Sequence, residues 1–207
     1  KLFTTLLIGL ISLSTFASHL MGGQIVATNL GGYEYEIKLT AYRDTMGIPM
    51  APTAMFQITM DSAGVMIPIT LLTVPADSIS GGLVMGVSAA YGVEVYTYTD
   101  TITLPGDGYY TIYWQDCCRN AAIINMGNAG AEYFALSTSL TVDSLNPNSS
   151  PSYLTLPVAY LPSDTLWQYN PLPFDPDGDS LAWSLTTPLG SGGIVSGYQF
   201  LDDTMFY

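Results

Sequence analysis

Cys117 and Cys118 stand side by side in YYTIYWQDCCRNAA, Tyr109 to Ala122, and are the chain's only cysteines. Adjacent thiols can clasp a metal, run redox chemistry or staple the chain. Zinc wants four nitrogen or sulfur ligands, and no second cysteine pair or nearby histidine supplies them. A nucleophilic cysteine needs a base, and the only histidine, His19, lies far upstream. The pair can close on itself as a vicinal disulfide, or each thiol can seek an outside partner. A second constellation is FDPDGDSLAWSL, Phe174 to Leu185. Asp175, Asp177 and Asp179 alternate, and Gly178 permits a tight bend. Three carboxylates on one loop repel unless a hard cation neutralises them, and Ca²⁺ suits such oxygen ligands. A solvated Asp-Gly turn leading into a strand accounts for the same spacing.

Catalytic alternatives are thin. The chain has no phosphate loop, dinucleotide fingerprint or GxSxG motif. A paired-carboxylate site would have to draw on Glu34, Glu36, Glu94 or Glu132, and the first two alternate on the solvent face of an expected strand. The reading is therefore a non-enzyme. Fifteen tyrosines and three tryptophans offer rings that could stack on sugars, although aromatics also fill sandwich cores.

The elements that must position these residues are strands. Polar and apolar residues alternate over Glu34 to Ala41, Met55 to Met60, Val65 to Val74, Glu94 to Leu104, Tyr109 to Trp114 and Tyr133 to Val142. Gly31-Gly32, Asp61 to Gly64, Gly81-Gly82 and Pro105 to Gly108 separate them as turn signals. Further strands are expected at Leu166 to Tyr169 and Ser180 to Leu185, and a helix near Asn120. The fold class is all-β: a β-sandwich over residues 18–148, then the start of an immunoglobulin- or cadherin-like domain over 149–207. The boundary is placed in the Pro/Asn/Ser-rich stretch SLNPNSSPSYL. Sixty residues are too few for a whole immunoglobulin-like sandwich, so further domains of the same longer chain are expected.

Of the 207 residues, 48% are hydrophobic and 10% charged, which predicts a real core. The net charge of −13 is diffuse. Beyond Lys1 the only bases are Lys38, Arg43 and Arg119, so nucleic acid and anionic membrane are excluded as partners. KLFTTLLIGLISLSTFA reads as a secretory signal peptide over residues 1–17, and its removal leaves no segment for membrane insertion. The mature protein is then extracellular, where disulfides persist.

Five segments in order carry a family resemblance: ASHLMGGQI, YEYEIKLTAYRD, WQDCCRNAAI, NSSPSYLTLPVAYL and DPDGDSLAWSLTTPL. Together they resemble the N-terminal region of large secreted Bacteroidetes surface proteins. Such proteins often continue into PKD or other immunoglobulin-like repeats and end in a gliding-motility-associated type IX secretion signal. The resemblance implies a secreted cell-surface module in adhesion, gliding or matrix interaction, with a surface polysaccharide or protein as partner. The alternative is a carbohydrate-binding module accessory to a downstream enzyme. In the family the YRD segment often continues with Cys, where this chain has Thr45. A cysteine also often follows the segment that here reads Ala159-Tyr160-Leu161-Pro162, so neither cross-link to the CC pair can form.

Asp followed by Ser or Thr and then an apolar residue recurs eight times, placing hydroxyls at Thr45, Ser62, Ser78, Thr101, Ser144, Thr165, Ser180 and Thr204. The triplet resembles the O-glycosylation site of secreted Bacteroidetes proteins. Asp with Ser or Thr closing a turn before a strand predicts the same order.

Overall fold

The computed structural model describes residues 20–45, 47–82, 92–155 and 170–200. The expected signal peptide, His19, Thr165, Thr204, the strand at Leu166 to Tyr169 and the segment Ala159 to Pro162 lie outside the described residues.

The described chain is an antiparallel β-sandwich. Its strands are β1 (Leu20–Gly31), β2 (Glu34–Asp44), β3 (Thr53–Ser62), β4 (Val65–Pro75), β5 (Ser78–Gly82), β6 (Val93–Thr103), β7 (Gly108–Asp116) and β8 (Phe134–Val142). Four short ones follow: β9 (Ser152–Tyr153), β10 (Pro173–Phe174), β11 (Leu189–Gly190) and β12 (Gly193–Ile194). One sheet runs β1-β2-β6-β5 and the other β12-β11-β8-β7-β3-β4, while β9 and β10 pair alone.

The alternation read from the sequence is the reason the sheets stack. In β2, Tyr35, Ile37, Leu39 and Ala41 face inward, while Glu34 and Lys38 are exposed. They meet Phe56, Ile58, Tyr110, Ile112 and Trp114 of the opposite sheet in one continuous core. Each fully buried side chain of this size contributes about 1.5–3 kcal/mol, so a one-residue register slip in β2 would cost several such terms.

Two local devices fix the corners. Ser62 pairs with Val65, leaving Ala63 and Gly64 as the hairpin loop. Both have positive φ, as the type I′ turn requires, and Gly64 N–H donates to Asp61 Oδ1 at 2.7 Å. At the start of β7, Tyr110 Oη–H donates to Gly106 O at 2.9 Å, as a tyrosine corner does in Greek-key sandwiches.

Several expectations need correction. Gly81-Gly82 is not a turn. It continues β5, paired with Glu94 and Val93. No helix starts at Asn120: its Oδ1 accepts from Ala122 N–H at 2.9 Å and closes a turn instead. The only helical element among the described residues is a 3₁₀ turn, Ala129–Ala131. Ser180 to Leu185 forms no strand and is exposed throughout. Among the described residues no strand pairs with this segment, and pairing is what a strand needs.

The stretch read as a linker is tied down. Ser149 and Ser150 are buried and lie along the outer edge of β1. Ala27 N–H donates to Ser150 Oγ at 2.8 Å, and Asn29 N–H to Ser149 Oγ at 3.1 Å. Ser150 N–H returns a bond to Ala27 O at 2.8 Å. These serines satisfy edge groups that would otherwise invite another chain.

Candidate functional site

Asp116 ends β7, and the next residues turn sharply. The sulfurs of Cys117 and Cys118 lie within bonding distance across a cis peptide bond. Cys117 N–H donates to Asp116 Oδ1 at 2.8 Å. Burial pushes the Asp116 carboxyl pKa above its ordinary value, and that hydrogen bond partly opposes the shift. The pivot of the loop is Arg119, only 7% exposed. Its backbone bridges Leu20 of β1 and donates to Glu132 O at 3.0 Å. Its guanidinium Nε donates to Tyr133 O at 3.2 Å and Nη2 to Leu189 O at 2.8 Å. The guanidinium carbon also sits 4.8 Å from the Phe134 ring centroid, a cation–π distance. One side chain thus joins the CC loop to β8 and β11, while its backbone reaches β1.

The acidic loop is spent on turn closure. Asp175 Oδ1 accepts from Asp177 N–H at 2.9 Å and Asp179 N–H at 3.2 Å. Asp177 Oδ2 turns away and accepts from Ser149 N–H at 2.6 Å, and Gly178 takes a φ of 84°. Among the described residues, no three Asp, Glu, His or Cys side chains form a metal ligand set. The carboxylates of Asp175 and Asp177 are thus engaged by backbone N–H groups of the loop and of Ser149.

Of the eight triplet hydroxyls, Thr45, Ser62, Thr101, Ser144 and Ser180 are exposed. Ser78 lies in β5. Asp61 and Asp143 close turns with their own side chains, as does Asp175 in the acidic loop. Thr101 is different, since it sits within β6.

The feature that sequence reasoning did not locate is a groove. Two adjoining cavities, of about 520 and 650 Å³, share Gly23, Gln24, Tyr153 and Trp183. They lie beside β1, between the sandwich and the segment that carries the acidic loop. Trp183 is 61% exposed, in contrast to Trp114, which is 3% exposed in the core. Tyr153 is exposed too, and Gln24 positions it: Tyr153 N–H donates to Gln24 Oε1 at 2.8 Å, and Gln24 Nε2 donates to Tyr153 O at 3.1 Å. Arg119 and Phe134 line the smaller cavity. No Asp or Glu lines either cavity, so Glu34, Glu36, Glu94 and Glu132 all lie outside the groove. Glu94 is taken by an ion pair with buried Arg43 and a bond from Tyr96 Oη–H at 3.2 Å. The groove offers flat rings, amide and hydroxyl groups and one guanidinium: equipment for recognition. No family model, curated protein or solved structure matches this chain.

Proposed function

We propose that this chain is a non-catalytic recognition module of a larger secreted surface protein, and that it holds a carbohydrate in the groove walled by Trp183 and Tyr153. The observation that carries the reading is Trp183: a large ring left open to solvent beside a second exposed ring, a geometry suited to stacking on a sugar face. A surface that works by adhesion needs such a groove and no bond chemistry. The resemblance to secreted Bacteroidetes surface proteins supports an extracellular setting in adhesion, gliding or matrix contact. The test is a glycan array probed with the chain and with Trp183→Ala. The reading expects saturable binding that the substitution abolishes while the melting temperature is kept. Binding that survives the substitution would remove the groove from the account.

The vicinal disulfide and the O-glycans belong to the same reading. The adjacency of the two cysteines in an oxidising setting supports the first, and the exposure of five triplet hydroxyls supports the second. Intact mass of the protein secreted by its native host, alkylated without reduction, reports both. The expected mass lacks two alkyl groups and exceeds the bare polypeptide by whole glycans. A doubly alkylated chain would refute the disulfide, and a bare mass the glycans.

A further inference from the structure

The guanidinium of Arg119 is more deeply buried than its partners explain. Two of its nitrogens bond carbonyls, which are neutral acceptors. Its remaining terminal nitrogen, Nη1, donates to no group among the described residues. The only buried side-chain nitrogen or oxygen without a partner among them is Tyr35 Oη, so Nη1 is not sealed in the core. Among the described residues the ion pair is Arg43–Glu94, and no carboxylate pairs with Arg119. Burial lowers the Arg119 pKa, and Glu132 offsets this only in part. A buried cation without a paired anion is costly. In a chain with 17 acids, the smaller cavity of the groove is lined by this arginine and no acid.

We infer that the groove's ligand is a carboxylate-bearing sugar, a uronic acid residue of an acidic polysaccharide, whose carboxylate meets Arg119 while its ring stacks on Trp183. The inference rests on the carbohydrate reading above and adds the ligand's charge. A guanidinium favours carboxylate through charge-assisted hydrogen bonds, and the groove wall itself carries no acid to repel one. The protein's overall negative charge acts at longer range and is screened beyond about 8 Å at physiological salt, whereas Arg119 acts at contact.

Arg119 also holds the CC loop in place, so the test leaves the protein unaltered and changes the ligand. The chain is titrated calorimetrically, at physiological salt, with an oligomer of galacturonic acid and with the same oligomer after its carboxyls are reduced to alcohols. The acidic oligomer should bind about tenfold more tightly, as one charge-assisted hydrogen bond allows. Equal or tighter binding of the reduced oligomer would overturn the charge preference and leave the carbohydrate reading standing. Binding of neither oligomer, while other glycans bind on the array, would overturn the uronic acid assignment alone. Binding of no glycan, or of an aromatic peptide with a free C-terminal carboxylate in place of sugars, would overturn both.

Discussion

Tyr35 presents a cost at the scale of one residue. Its ring lies wholly inside the sandwich, at 0% exposure, and its hydroxyl has no hydrogen-bond partner. Its fellow core tyrosines are anchored: Tyr98 Oη–H donates to Ala51 O at 2.7 Å, and burial pushes the Tyr98 pKa up to about 12. An unsatisfied buried hydroxyl costs about 1–3 kcal/mol, which deletion of the oxygen removes. Tyr35→Phe should therefore raise stability in urea denaturation, by up to about that amount. A clear loss of stability would show that the hydroxyl is satisfied. Trp183 is the opposite case, an apolar ring kept in water. Composition counted three tryptophans but held no sign of which was exposed. The expected strand Ser180 to Leu185 would have turned alternate side chains inward. Among the described residues no strand pairs with it, and Trp183 stays open instead.

Among elements, β1 is the seam of the molecule. Gly23 sits where β1 passes both β2 and β8, and a Cβ there would lie 2.6 Å from Thr40 O and 2.9 Å from Leu136 Cδ1. Gly23→Ala forces β1 away from the β2 backbone beside it and from Leu136 of the facing sheet, and a cost of about 1–3 kcal/mol is expected in chemical denaturation. An unchanged midpoint would mean that the seam is looser than described. This strand was the hardest to read from sequence. Gly22 and Gly23 interrupt its alternation, and the register shifts between Leu20 and Gly22. Strands β2, β3, β6, β7 and β8 were legible because each buries one face and wets the other, the pattern that periodicity detects. Strand β4 is exposed along most of its length and was legible from its β-branched residues and the turn before it. The glycines of β5 mislead for the reverse reason: they carry no side chain to mark a face. The link between β1 and Ser149-Ser150 was invisible, since serines in a Pro/Asn-rich stretch resemble any linker until an edge strand needs their hydroxyls.

At the scale of the whole molecule, the two motifs that looked most chemical build the groove's frame. Arg119 of the CC loop ties β1, β8 and β11 together at one wall. The acidic loop, through Asp177, fastens the Trp183-bearing segment to Ser149 beside β1. Both contacts are long in sequence, which is why local spacing did not show them. Among the described residues no helix is long and apolar enough to cross a membrane. The central claim is that a glycan is bound by stacking on Trp183. Its most direct test follows the tryptophan indole N–H signals by two-dimensional NMR as a glycan selected on the array is titrated in. The account predicts a saturable shift of the Trp183 signal while that of Trp114, buried in the core, stays in place. A bound glycan that leaves the Trp183 signal unmoved would contradict it.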